Sequence, residues 1–293
     1  FVQDLVCTPD VLNKLKTLKD IDPIHINPAL EEITLIQEFF GSNVALYFIS
    51  DSAFHSVHKR KIPLMFDHPV YTIGYHGLSC ESVLSFLIQE NIPHSKLISV
   101  HLGGGSSVTS ILNGVSVYNS MEFSPLDGIL MSSRSGSVDP FAILLYIREH
   151  NLTYEQTLND LYSKSGLKAL SGGLSSDLRV IREEAFKGNN SAKDAIVQYI
   201  DSIASHICEA ISYTHGIDTL VFTGTIGYRA AYIREMVIEK LLWLGCAIDH
   251  TDNLEASDSC FEISSIHSKI KIYVIQVDEM KEMHKHTQKL LKK

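Results

Sequence analysis

Short runs of apolar residues alternate along the chain with longer stretches in which apolar residues recur every three or four positions. The short runs predict buried strands, and the spaced stretches predict helices with one apolar face. The clearest predicted helix begins at Ser191 and continues until Gly216 stops it. The predicted strands are Val44–Ile49, Leu97–Val100, Val108–Leu112, Val115–Tyr118, Thr219–Phe222 and Lys269–Ile275. Asn113-Gly114 predicts a hairpin turn between the third and the fourth of these strands. The other predicted helices cover 8–20, 29–40, 79–90, 140–150 and 230–244, and two more begin near residues 152 and 279.

A glycine cluster, Gly103–Gly105, separates two of these predicted strands. The arrangement predicts a strand, a tight turn and a second strand. Because glycine has no Cβ atom, the three residues can adopt positive φ angles and can let backbone N–H groups approach a ligand closely. Consecutive N–H groups in such a turn form a concave anion site, which commonly holds phosphate. A glycine-rich hairpin without a ligand is the alternative.

Three polar side chains occupy positions from which they could serve such a site. Asp51 follows Val44–Ile49 at the edge where open α/β sheets bind ligands, so it could meet a metal, a substrate or a transferring group, or cap the following turn. His76 lies between glycines, which predicts either a side chain presented into a cleft or a plain loop histidine. Arg134 lies among serines, and its guanidinium suits carboxylate or phosphoryl oxygens, with a structural salt bridge as the alternative.

Two further segments have the composition of ligand-binding loops. The stretch 163–179 is rich in glycine and serine and ends in an N-cap signature at Asp177, although it could equally contact a nucleoside. Thr223–Arg229 connects a strand to a helix through glycine, which makes it a second candidate site for a nucleotide phosphate or base. His25 lies between two prolines and is either a structural or solvent residue or a ligand contact.

Composition restricts the class of protein. The 293 residues carry a formal net charge of −9, which argues against a nucleic-acid partner because no basic patch is available. No apolar run approaches the ~20 residues that span a bilayer, and the chain starts at Phe1 without a recognisable signal peptide. The five scattered cysteines form no CxxC pair, which predicts reduced thiols and a cytoplasmic protein.

Seven motifs, taken together and in order, resemble those of the acetate kinase family, which comprises acetate, propionate and butyrate kinases. The glycine turn is similar to the family's HLGNG motif, Tyr75–Ser79 to FHGTS, and Arg134–Pro140 to TRSGDIDP. Asp51–His55 resembles DTAFH, and Phe123–Gly128 resembles FTPLEG. The two remaining motifs, which resemble PLHNP and SSDFRD, are Ile24–Pro28 and Ser175–Arg179.

The resemblance implies an α/β, actin/Hsp70/sugar-kinase-like (ribonuclease H-like) fold of two domains. Residues 1–100 would form the remainder of the N-terminal domain, and residues 101–293 the C-terminal nucleotide-binding and dimerisation domain. The implied reaction is phosphoryl transfer between ATP and a short-chain carboxylate, which gives ADP and an acyl phosphate. The implied cofactors are ATP and Mg²⁺, and the implied assembly is a homodimer.

By the same resemblance, His76 and Arg134 would stabilise the phosphoryl group in transfer, and Asp51 would be the active-site carboxylate. Glu279 would help to hold Mg²⁺ through its water shell. The residues that would bind the nucleotide are His101, Leu102, Gly103, Gly104, Gly105, Asp177, Leu178, Arg179, Thr225, Ile226, Gly227, Tyr228 and Arg229.

His25 and Pro125 would lie near the acyl pocket. The family's first strand-turn-strand has no counterpart in this sequence, which predicts a truncated first domain and little or no kinase turnover by the isolated chain. The alternatives are a non-catalytic nucleotide-binding remnant or fragment, and an enzyme whose acid is propionate.

Overall fold

The structure, a computed structural model, describes residues 2–19, 23–57, 59–256 and 260–292, apart from the side chains of residues 23–25. The strands are β1 Leu5–Val6, β2 Tyr47–Phe48, β3 Lys96–Leu102, β4 Ser106–Leu112, β5 Val115–Asn119, β6 Thr219–Thr223, β7 Cys260–Glu262 and β8 Lys271–Ile275. The α-helices are α1 Pro9–Lys16, α2 Pro23–Phe40, α3 Gly77–Gln89, α4 Pro140–His150, α5 Tyr154–Ser163, α6 Gly166–Leu170, α7 Leu178–Phe186, α8 Asn190–Thr214, α9 Gly224–Arg229, α10 Ala231–Lys240, α11 His250–Glu255 and α12 Glu279–Leu291. Single 3₁₀ turns lie at Ala53–His55 and Leu242–Leu244.

A six-stranded sheet with the order β5-β4-β3-β6-β8-β7 forms the centre of the fold. Strands β3, β6 and β8 are parallel, whereas β4, β5 and β7 each pair antiparallel with their neighbours. The carboxyl ends of parallel strands meet at one edge of a sheet, which is where open α/β sheets bind ligands. The segments that converge at this edge are the glycine turn, Gly224 and Gln276–Glu279.

Helices cover both faces of this sheet. Along β3, Ile98 and Val100 belong to an apolar cluster that includes α8, whereas Leu97 packs with Val83 and Leu87 of α3. This alternation is the period of two that a strand imposes. The apolar stripe predicted for α8 is confirmed at the buried residues Ala195, Ile196, Tyr199, Ile200, Ile203, Ile207 and Ala210. Its last predicted member, Ile211, is only partly buried but packs against the same core.

The hairpin predicted at Asn113-Gly114 is also confirmed. It joins β4 to β5, and both turn residues have positive φ angles, 51° for Asn113 and 81° for Gly114. Positive φ at both central residues is the requirement of a type I′ turn, whose twist matches that of the flanking strands.

The predicted buried strand Val44–Ile49 is wrong in length and in environment. Only Tyr47–Phe48 is extended, and it pairs with β1 in a separate two-stranded sheet. Both residues are half-buried, because β1 is the single strand beside them in the described part of the chain. An apolar run alone therefore overestimated how much of this segment is covered.

Several helix boundaries also differ from the prediction, among them those of α2 and α10. Helix α2 begins at Pro23, well before residue 29, and continues through Pro28. The predicted helix 230–244 begins one residue later and ends at Lys240, because Ala230 has the non-helical angles φ −101° and ψ 75° and separates α9 from α10. Strand β3 crosses the predicted domain boundary at residue 100, and the division into domains stays a prediction. None of the described helices is long and apolar enough to span a membrane.

Candidate active site

The predicted glycine turn joins β3 to β4, and the N–H of Gly103 donates to the carbonyl of Gly105 at 2.9 Å. The structure does not use the freedom of these residues to adopt positive φ angles, because none of the three glycines lies in the left-handed region. Glycine matters here for a different reason. A Cβ atom on Gly105 would lie 3.2 Å from Nη1 of Arg134 and 3.3 Å from Nε2 of His76. The turn therefore leaves space for a guanidinium and an imidazole, which meet against its backbone.

His76 and His101 form a stacked pair of imidazoles, with ring centroids 4.1 Å apart and ring planes at 17°. Nδ1 of His76 lies 2.9 Å from Oγ of Ser107, and Nδ1 of His101 lies 2.9 Å from Oγ of Ser79. Burial, with a further contribution from His76, lowers the pKa of His101 well below the ordinary histidine value. At neutral pH His101 is therefore an uncharged ring.

Asp51 binds the amino end of α3. Its Oδ2 accepts a hydrogen bond from the backbone N–H of His76 at 2.6 Å, and its Oδ1 accepts one from Leu78 at 3.1 Å. A carboxylate suits this position because the first N–H groups of a helix have no partner within it. His76 itself has a left-handed backbone, with φ 59°. Asp51 thus caps α3 rather than the turn that follows it, and holds the backbone that presents the His76 ring.

Arg134 reaches the glycine turn from a loop that other segments hold in place. Its Nη1 donates to the carbonyl of Pro125 at 3.2 Å, which brings two of the predicted site residues together. The neighbouring Ser133 donates its hydroxyl to the carbonyl of Tyr162 at 2.9 Å and accepts the N–H of Ser165 on its own carbonyl at 3.0 Å. The loop is therefore fixed to the segment between α5 and α6.

A cleft of about 780 Å³ lies at the carboxyl edge of the parallel strands. A Cβ atom on Gly224, whose φ is +76°, would lie 2.5 Å from the carbonyl oxygen of Leu102. Glycine therefore allows the start of α9 to approach the end of β3 this closely. The predicted residues that line the cleft are His101, Gly103, Gly104, Thr225, Tyr228, Arg229 and Glu279.

The other predicted nucleotide residues lie outside that lining. Leu102 is fully buried in the strand core, Gly227 is buried, and Ile226 packs against the core behind α9. Asp177 caps α7, as the sequence predicted, by accepting the N–H of Arg179 at 2.9 Å. Their side chains also form an exposed ion pair, and Leu178 beside them is buried. The side chain of His25 lies outside the described residues.

Glu279, the first residue of α12, lines the same cleft as the glycine turn. Burial, together with the charge of Asp51, raises the pKa of Glu279, so the two carboxylates act on each other. Mg²⁺ is typically bound by one or two carboxylates plus waters and substrate phosphates. Within the described residues no group of three or more His, Cys, Asp and Glu side chains could hold a metal. The two acids fit a cation that takes its other ligands from water and phosphate.

Several residues of the site were not predicted from the sequence. Ser79 and Ser107 are single serines inside a helix and a strand, where nothing in the linear pattern separates them from ordinary buried hydroxyls. Gln276, Asp278, Met280 and Met283 line the cleft. Their signal was positional, because they follow the third parallel strand at the ligand-binding edge.

Known proteins match this chain over almost its whole length. A model of the acetokinase family matches residues 1–284. The acetate kinase of Rippkaea orientalis is 35% identical over 281 residues, which are 93% of this chain and 69% of that protein. The crystal structure of acetate kinase from Entamoeba histolytica gives a TM-score of 0.88 at 30% identity and covers 99% of this chain and 77% of that chain. The crystal structure of a propionate kinase from Francisella tularensis gives a TM-score of 0.84 at 32% identity and covers 95% of this chain and 73% of that chain.

Proposed function

This chain belongs to the acetokinase family, and we propose that it transfers a phosphoryl group directly between ATP and a short-chain carboxylate such as acetate. The α/β fold expected from the motifs is confirmed by the structural similarity to acetate kinase. Kinase chemistry on a carboxyl acceptor follows from the family. The nucleotide, the acid and the residue roles below are our proposal.

The observation that carries the proposal is the meeting of His76 and Arg134 at Gly105, beside the cleft that holds His101 and Glu279. Phosphoryl transfer needs little covalent help from a protein, and its catalysts work by positioning and by neutralising charge on the equatorial oxygens. A guanidinium and an imidazole aimed at one backbone turn supply donors of that kind. Their convergence from α3 and from the Arg134 loop is therefore the arrangement that the reaction requires.

In the proposed reaction the nucleotide occupies the cleft with its phosphates toward the glycine turn. A carboxylate oxygen of the acid attacks the γ-phosphorus, and the bond to the bridging oxygen of ADP breaks. Arg134 and His76 donate hydrogen bonds to the transferring group, and Asp51 keeps His76 in place through its backbone. No proton has to move, because the carboxylate is ionised at neutral pH.

Mg²⁺ would be held through water near Glu279 and Asp51, where it would neutralise part of the phosphate charge. Pro125 lies at the acid end of the proposed site, since its carbonyl accepts the Arg134 guanidinium. The similarity to the propionate kinase supports propionate as the second candidate acid. The ratio of kcat/KM for acetate and propionate decides between them.

The direct test incubates the purified chain with ATP, Mg²⁺ and either acid, and traps the acyl phosphate with hydroxylamine. We expect Arg134→Ala to lower the rate by roughly 10²–10³-fold, as loss of a donor to a transition-state oxyanion does. Arg148→Ala is the matched control, because Arg148 is exposed on α4. A chain that binds ATP equally well with or without Arg134 but forms no acyl phosphate would instead be the non-catalytic nucleotide-binding protein. The same assay tests the prediction of low turnover.

We also propose, from the resemblance, a cytoplasmic homodimer. Helix α4 supports an association surface, because it has no buried residue and leaves Phe141 69% and Leu144 62% exposed. Size-exclusion chromatography with light scattering should give twice the monomer mass for the unchanged chain. The Leu144→Glu variant should give the mass of a single monomer. A monomer at every concentration would contradict the dimer without affecting the proposed chemistry.

A further inference from the structure

The two stacked imidazoles are held by a crossed pair of serines. Ser79 belongs to α3, whose cap is His76, yet its hydroxyl contacts the ring of His101 on β3. Ser107 belongs to β4 and is the register partner of His101, yet its hydroxyl contacts the ring of His76. The amino end of α3 therefore supplies one imidazole and the hydroxyl that orients the other imidazole, and the β3–β4 pair does the same in return.

The burial of the two serines determines which way these hydrogen bonds run. Ser79 is 0% and Ser107 is 1% exposed, so neither hydroxyl proton can be given to water. Across the described residues, the ring nitrogen is the single hydrogen-bond partner of each hydroxyl oxygen. A buried O–H without an acceptor costs free energy, so each hydroxyl donates to the ring nitrogen that it contacts. A ring that accepts at Nδ1 carries its own proton at Nε2.

We propose that Ser79 and Ser107 are positioning residues that hold both stacked imidazoles neutral and protonated at Nε2, so that both rings present an N–H donor beside the glycine turn. The inference rests on the proposed function for its purpose, since the donors would face phosphoryl oxygens. Nε2 of His76 lies 3.3 Å from the space a Cβ on Gly105 would fill, and Nε2 of His101 lies 3.5 Å from that of Gly103. A charged ring would need the serine to accept, which would leave its own proton without a partner.

Electrostatics favour the same state. Two imidazolium rings stacked at this distance would repel each other, and the burial that lowers the pKa of His101 acts against charge on that ring in any case. Neutral donors also leave the net positive charge of the site on the guanidinium of Arg134. The tautomer of each ring can be tested directly by spectroscopy.

The test records the ring ¹⁵N resonances of the full chain, with His76→Asn and His101→Asn used to assign the two rings. We expect both rings to show a proton-bearing Nε2 and an unprotonated, hydrogen-bonded Nδ1 at neutral pH. Ser107→Ala should shift Nδ1 of His76 toward the protonated range, and Ser79→Ala should do the same for His101, whereas the threonine variants restore the original signals. Ser106→Ala is the matched control, because Ser106 is a fully buried neighbour on β4 whose hydroxyl makes no hydrogen bond to either ring within the described residues.

Either ring found with its proton on Nδ1, or found doubly protonated, would overturn the proposal. So would alanine variants that fold but leave both tautomers unchanged. If the alanine variants fail to fold, the wild-type and threonine spectra still decide between the tautomers. The readout needs no turnover, so a chain without kinase activity contradicts the proposed function and not this assignment.

Discussion

Replacing Asp51 by asparagine should cost stability and displace the His76 ring. The carboxylate uses both of its oxygens, one for the N–H of His76 and one for that of Leu78. An amide keeps one acceptor and turns its NH₂ group toward the other N–H. Hydrogen bonds to a charged group contribute about 1.5–3 kcal/mol, so the expected loss of folding free energy is about 2 kcal/mol. A left-handed non-glycine residue costs about 1–3 kcal/mol, so the lost bond is large enough to release the His76 backbone.

The assay combines urea unfolding with the acyl-phosphate trap. A displacement of about 1 Å in a reacting group lowers a rate by roughly 10²-fold, and we expect kcat to fall by up to that factor in Asp51→Asn. The matched control is Asp249→Asn. Asp249 also accepts two backbone N–H groups at a helix start, but both hydrogen bonds go to the same oxygen, Oδ1, which asparagine retains. We expect this control to lose less than about 1 kcal/mol of folding free energy and to keep its full activity.

Two results would refute this reasoning. If Asp51→Asn were as stable as Asp249→Asn, the carboxylate would not be the cap that secures α3. If stability and the His76 ring signals were unchanged while the Mg²⁺ requirement rose, Asp51 would act on the cation rather than through His76. The stability arm does not depend on the proposed activity, so it remains decisive in a chain without turnover.

Three further predictions follow from single sites. Gly105→Ala places a Cβ atom 3.2–3.3 Å from the guanidinium of Arg134 and the imidazole of His76. The acyl-phosphate trap should therefore show a rate about tenfold lower than that of the unchanged chain. The free energy of unfolding should equal that of the control Gly104→Ala, whose Cβ atom meets nothing within 4 Å. Burial lowers the pKa of His55 to about 4, so the His55 ring takes up a proton at a higher pH in the unfolded chain than in the folded one. The free energy of unfolding should therefore fall as pH drops from about 6.5 to 4, by about 3 kcal/mol in all. In His55→Gln this pH dependence of urea unfolding should be flatter. Glu279→Gln should raise the Mg²⁺ concentration for half-maximal turnover, and an unchanged requirement would remove Glu279 from the metal site.

The local sequence pattern was sufficient to predict those parts of the fold that depend on residues close together in the sequence. The stripe of α8, the β4–β5 turn and the strand-turn-strand around Gly103–Gly105 depend on periodicity and on turn chemistry, and all three are confirmed. Val44–Ile49 was misjudged because burial of a strand depends on its neighbours in space, and here the described neighbour is the two-residue β1. The motifs indicated the family because their order along the chain is itself information.

The site's geometry could not be predicted in the same way, since each essential contact joins residues far apart in the sequence. Asp51 reaches the backbone of His76, and Arg134 reaches the space over Gly105. Gly105 illustrates the difference most directly. The sequence indicates a glycine that permits special backbone conformations and close approach of a ligand, whereas in the structure its missing side chain leaves room for two side chains from other segments.

The stacked histidines connect the two halves of the proposed site. His101 lies one residue before the end of β3 and lines the nucleotide cleft, while its stacking partner His76 approaches the glycine turn together with Arg134. Cores on both faces of β3 hold these groups, since Leu97 packs toward α3 and Ile98 toward α8. Preorganised donors cost little reorganisation when charge develops, so the rigid strand is as much part of the proposed catalysis as the side chains it presents.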